Sequence, residues 1–195
     1  MRWYHAIFTA YGFWLPNDPR GSWSDFTASW ELFKFAGSAT KTSARHSLAA
    51  KPHDASNRRA AKGLLEYDLV RFDPRQQRCV AAGIERACAE AQIVLHALAI
   101  GYDHVHAIVG RHPKTIEDVV RHFKSRATQK MSRAGCHPMR NCPKPDHAFH
   151  TPWAEGCWHV FINDEPQLQA AIEYVARHPQ KEGHPAQHWP FITPV

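Results

Sequence analysis

The spacing of apolar and polar residues divides this chain into seven readable elements and one long stretch without clear periodicity. Residues 3–15 (WYHAIFTAYGFWL) are rich in aromatic and β-branched side chains and run up to Pro16, the composition of a first strand. From about Pro74 to Gln92, the apolar residues Val80, Ile84, Ala87, Cys88 and Ala91 recur at helical spacing. IVLHALAI (93–100) is a continuous apolar run suited to a central strand. The short connection Gly101-Tyr102-Asp103 then leads into HVHAIVG, so two strands form an antiparallel hairpin.

Thr115 with Asp118 three residues later is a variant of the capping box and opens the next helix. Ile116, Val119, Val120, Phe123, Ala127 and Met131 make its buried stripe. Residues 134–152 contain four prolines and are expected to be an irregular loop. Strand character returns in GCWHVFI (156–162). Asp164 caps a last helix with Pro166 in its first turn and Leu168, Ala171, Ile172 and Val175 on its buried side. Pro179 is expected to stop that helix, because the residue before proline avoids the α region. Residues 16–73 form an insertion, turn-rich at first and then polar, with one or two short helices. Strands interleaved with helices and a hairpin predict an α+β fold with helices packed on an antiparallel sheet. One domain spanning 1–195 accommodates all of it.

Composition narrows the setting. Lys and Arg outnumber Asp and Glu by 24 to 18, a net charge of +6, which favours an acidic partner such as nucleic acid. Five cysteines without a regular framework fit a reducing compartment. There is no signal-peptide pattern and no apolar run near the ~18 residues of a membrane span, so a cytoplasmic protein that enters no membrane is expected.

Fifteen histidines raise the prospect of metal chemistry, and two of them locate it. His104 and His106 are two apart on a predicted strand, so they share a face, while Val105, Ala107 and Val109 line the other. Tyr174 and His178 are four apart on the last helix and also share a face. His178 would close a three-histidine site, and a helix C-terminus favours a nearby cation by ~0.3–1 kcal/mol. A third imidazole moves the preference away from Mg²⁺ and toward Mn²⁺ or another transition metal. On the helix that begins at 116, Arg121, Lys124, Arg126 and Lys130 occupy the polar surface and are candidates for DNA phosphates. A His-triad hydrolase would need a histidine where Ile108 stands. A two-histidine phosphodiesterase would need Thr or Ser in place of His106. In the loop, Cys136, Cys142, His147 and His150 have the spacing C-x5-C-x4-H-x2-H, which departs from the C-x2–4-C zinc knuckle.

The chain resembles the single-tyrosine HUH (His-hydrophobe-His) transposases, and among them the REP-associated tyrosine transposases. The segments that carry the resemblance are TAYGFWLPNDPRGSW, GYDHVHAIVG, HFKSRAT, WAEGCWHVFINDEPQLQAAIEYVARHPQKEG and AQHWPF. It implies the HUH endonuclease fold, a ferredoxin-like or RRM-like antiparallel sheet with helices on it. It implies Tyr174 as nucleophile, and His104, His106 and His178 as ligands of a divalent ion, Mg²⁺ or Mn²⁺. His178 stands where the family usually has an amide. The implied activity is metal-dependent cleavage and strand transfer of single-stranded DNA, at hairpin-containing sites, through a 5′-phosphotyrosine, by a monomer or homodimer. The same residues leave two alternatives: a DNA-binding descendant that does not cleave, and a rolling-circle replication or relaxase-type endonuclease.

Overall fold

The computed structural model describes residues 3–44, 48–142, 144–145 and 148–195. Among them the order is β1 (Trp3–Thr9), α1 (Trp30–Ala36), α2 (Ala55–Lys62), α3 (Pro74–Ala91), β2 (Leu95–Ile100), β3 (His104–Gly110), α4 (Ile116–Arg133), β4 (Trp158–Ile162) and α5 (Glu165–Lys181). The strands form one antiparallel sheet in the order β2-β3-β1-β4. With α1 and α2 set aside, β1-α3-β2-β3-α4-β4 is the ferredoxin-like arrangement, extended by α5.

Local chemistry accounts for the boundaries. Asp73 and Gln76 cap each other's backbone at the start of α3, Oδ1 accepting at 2.7 Å and Oε1 at 2.9 Å. Thr115 and Asp164 cap α4 and α5 by accepting from the amide three residues on. The buried residues of α4 are the six of its apolar stripe.

The two faces of the sheet are covered differently. Ala6 and Phe8 of β1 and Val105, Ala107 and Val109 of β3 pack with α3 and α4 in the main core. Ala97, Ala99, Ile108 and Ile162 face the other way and bury against Leu168 and Val175 of α5. His104 and His106 alternate with the core residues of β3, so they lie under α5. The helices α3 and α4 meet closely at Gly83, where a Cβ would lie 2.4 Å from the Cα of Ala127.

Four boundaries differ from the sequence reading, one of them β4, which begins at Trp158 rather than 156. β1 ends at Thr9, well short of residue 15, because Gly12 takes a φ of +77° and turns the chain. Ala10 then bridges to Trp153, whose ring packs against Phe8 and Phe72 in the core. β2 begins at Leu95 rather than 93, with an irregularity in its pairing to β3 between Leu95 and Ala97. Pro179 does not stop α5, which continues to Lys181. Proline disturbs a helix through its missing N–H and its contact with the preceding turn. Here its ring is buried, and its carbonyl accepts from Glu182 at 3.1 Å and His184 at 2.8 Å, which holds one further turn.

The insertion between β1 and α3 holds two short helices, capped by Ser29 and Asp54. Leu15, Leu32 and Ala61 give it a small core of its own. No described helix is long and apolar enough to cross a membrane. Of the four loop residues in C-x5-C-x4-H-x2-H, His147 lies outside the described residues. Cys136 Sγ lies 3.7 Å from Cys79 Sγ, and His150 meets the Tyr67 hydroxyl at 3.1 Å.

Candidate metal and tyrosine site

The strand period puts His104 and His106 side by side, and α5 lays its last turn across them. The imidazoles of His104, His106 and His178 each offer a nitrogen, and the three nitrogens lie within 4.8 Å of one another. The Nε2 atoms of His104 and His178 are 2.8 Å apart. His104 and His106 are 7% and 3% exposed, so this cluster is inside the molecule. Tyr174, one turn before His178, is 39% exposed and stands on the rim. Its ring centre is 5.7 Å from that of His106 and 5.6 Å from that of His178. All four side chains belong to one chain. The ammonium of Lys181 lies 4.7 Å from the Tyr174 ring centre, on the same helix face seven residues on.

Further side chains orient the cluster. Asp103 Oδ1 is 2.9 Å from His104 Nδ1. A carboxylate only accepts, so His104 Nδ1 carries the proton and its Nε2 presents a lone pair. His5 Nε2 and His106 Nδ1 share a hydrogen bond of 2.9 Å, which leaves Nε2 of His106 for a ligand. Such outer partners fix ring orientation and tautomer in metal centres. The Phe13 ring stacks on His104 at 5.4 Å. Glu182 Oε1 is 3.6 Å from Nε2 of both His104 and His178.

Electrostatics keep His5 and His106 neutral. Burial, then the neighbouring His104, His5 and His178, hold His106 well below the ordinary imidazole value. Burial, with His178 second, lowers His5 to about 4. Both are therefore neutral at pH 7. The hydrogen bond from His178 lowers the Glu182 carboxyl, which is ionised. Tyr174 moves the opposite way: burial, then the charge of Glu182, raise its phenol above the ordinary value. The phenol is thus less acidic here than in water, and a cation in the cluster would counter that.

The donor set fits a divalent ion. Neutral imidazole is a ligand for the later first-row metals and for Mn²⁺ in mixed sets. Nε2 of His104 points no proton outward in the tautomer above. The proton shared between Nε2 of His104 and Nε2 of His178 is the one an ion would displace. The buried Nδ1 of His178 has no hydrogen-bond partner.

No family model and no curated protein matches this chain. Among solved structures it is similar to a REP-associated tyrosine transposase bound to a REP hairpin. There the identity is 12%, with 97% of this chain and 74% of the other covered and a TM-score of 0.47. It is also similar to a Deinococcus radiodurans R1 protein provisionally described as a transposase. In that case the identity is 14%, with 95% and 94% covered and a TM-score of 0.40. At such identities the chemistry has to be argued from this chain's own residues.

The basic residues of α4 are not part of the cluster. α4 packs on the α3 side of the sheet, whereas the histidines lie on the α5 side. Lys124 donates to the carbonyls of Ala154 at 2.7 Å and Gly156 at 2.6 Å, pinning the approach to β4. Arg126 is paired with Glu90 at 2.5 Å. Arg121 is exposed and paired with Asp118. Lys130 is half-buried on the same helix. Arg121 and Lys124, with Ser125, Thr128 and Glu155, line a cleft between α4 and the 151–157 segment.

Sequence reasoning passed over His5, Asp103 and Glu182. Asp103 precedes His104 directly, and Glu182 follows His178 by one helical turn, so spacing could have flagged both. His5 needed the sheet register: it pairs with Ile108 and so shares a face with His106.

Proposed function

We propose that this protein is a transposase-type enzyme that cuts and rejoins single-stranded DNA through Tyr174, with a divalent ion held by His104, His106 and His178. The observation that carries the reading is a trio of imidazoles, two buried and one partly buried, with a half-exposed tyrosine on its rim. A metal-binding cluster alone fits many activities. A phenol one helical turn from one ligand and within ring contact of another fits nucleophilic attack beside a metal-bound phosphate.

The Tyr174 oxygen attacks the scissile phosphorus, the P–O3′ bond breaks, and a 5′-phosphotyrosine and a 3′-hydroxyl result. The phenolic proton balances the one taken up by the departing 3′ oxygen. One phosphodiester replaces another, so the step is reversible and needs no nucleotide hydrolysis. A phenol of pKa ~10 costs roughly 4 kcal/mol to ionise at pH 7. When bound, the ion would neutralise charge on the phosphate and favour the phenolate. Asp103 holds His104 in the tautomer that faces it, and His5 orients the ring of His106. Within one chain the Tyr174 ring meets those of His106 and His178, and this reading takes nucleophile and ligands from the same chain. Hairpin-containing DNA is the substrate that the sequence resemblance indicates.

The test is incubation of the purified chain with a labelled hairpin oligonucleotide and Mn²⁺. The wild type should give a protein–DNA adduct whose mass maps to the peptide containing Tyr174, and Tyr174→Phe should bind the DNA without forming one. A covalent adduct with the Phe variant would refute Tyr174 as nucleophile.

A further inference from the structure

We propose that Glu182 is the carboxylate donor of the metal centre, making a set of three imidazoles and one carboxylate that fits Mn²⁺ or Zn²⁺ better than Mg²⁺. This rests on the metal reading above and adds the fourth protein group to it.

Four observations converge on this residue. Glu182 follows His178 by four residues and Tyr174 by eight, so it closes the face of α5 that looks onto the cluster. Its Oε1 lies 3.6 Å from Nε2 of His104 and of His178, the two nitrogens that face each other. Its other oxygen rests against the β2–β3 turn, where a Cβ on Gly101 would stand 3.0 Å from Oε2. Any larger residue at 101 would press on that carboxylate. Finally, α5 carries Glu182 to this place only because it continues past Pro179, with the Glu182 amide bonded back to the carbonyls of His178 and Pro179. A helix ending at Pro179 would have left the carboxylate without that anchor.

Charge supplies the reason for a carboxylate here. Three neutral imidazoles give a dication no compensation, and charge enclosed without a counter-charge is costly. One carboxylate halves the net charge. Imidazole nitrogens suit transition metals and carboxylate oxygens suit Mn²⁺, so the mixed set favours these ions over Mg²⁺. The rival role for Glu182 is a simple acceptor for a protonated His178, with no part in holding an ion.

Calorimetric titration of the full chain with Mn²⁺, Zn²⁺ and Mg²⁺ separates these, with melting temperature in chelator as the folding control. The wild type should bind one Mn²⁺ or Zn²⁺ per chain and Mg²⁺ more weakly. Glu182→Gln should weaken Mn²⁺ binding about 10- to 100-fold while melting as the wild type does in chelator. Glu182→Asp should fall between them. If Glu182→Gln titrates like the wild type while His178→Ala loses binding, Glu182 is only an ion-pair partner and the inference is overturned, with the metal reading intact. If the wild type binds none of the three ions, the metal reading itself fails and takes the inference with it.

Discussion

His104 with His106, and Tyr174 with His178, could be picked out of the sequence because each pair's shared face follows from spacing within one element, and the family resemblance joined the pairs. Residues that act across elements could not. His5 shows this: nothing in WYHAIF distinguishes it until the register of β1 on β3 places it beside His106. Removing its ring nitrogens with His5→Phe should leave the fold intact and weaken Mn²⁺ binding about 10- to 100-fold by calorimetry, since His106 loses the partner that orients it. Lys124 illustrates the reverse. It looked like a phosphate contact on a polar helix face, yet its ammonium is committed to two backbone carbonyls. Burial lowers it from 10.5 to about 8. The unfolded chain keeps that proton to about pH 10.5 and the folded chain loses it near 8, so this residue makes stability rise with pH between those values. Cys157 and Cys88, raised by burial to about 11 and about 12, act in the opposite direction above pH 9. The quantity to measure is therefore the difference in unfolding free energy between wild type and Lys124→Met. That difference should shift in favour of the wild type as pH rises from 8 to 10.5, by roughly 1–3 kcal/mol. A flat difference would mean that the ammonium is not held in a low-dielectric setting.

Elements with caps and a clean apolar stripe, above all α4, were readable to within a residue at their starts. β1 was overextended because aromatic residues suit both a strand and the packed turn after it, and the only local signal was Gly12. α5 was cut short because a proline was taken as a stop, although burial of its ring and the bonds of the following turn keep the helix going. The approach of α3 to α4 was invisible to periodicity, since Gly83 reads as a weak helix residue until a neighbour is known. Gly83→Ala places a methyl group 2.4 Å from the backbone of Ala127, so the helices must separate. The expected loss is about 1–3 kcal/mol in urea unfolding, opposite in sign to the gain that alanine gives in an exposed helix. A stabilised variant would show that the helices do not meet there.

Across the molecule, the sheet divides two surfaces that the sequence could not separate: the α5 side with the histidine cluster and Tyr174, and the α4 side with the basic helix. A single strand engaged at Tyr174 therefore does not run directly onto α4, and a DNA substrate would have to reach round the sheet to use both. With a net charge of +6, binding to a single-stranded oligonucleotide should weaken about ten- to a hundredfold from 50 to 200 mM salt. Fluorescence anisotropy measures it, and unchanged affinity would contradict a nucleic-acid role. The central claim is that one divalent ion sits among three imidazoles at the foot of Tyr174. Crystals grown with Mn²⁺ and measured for its anomalous scattering test this most directly. The account predicts one strong peak within bonding distance of His104, His106 and His178, beside the tyrosine ring. A well-ordered site with no peak there, or a peak held by other residues, would contradict it.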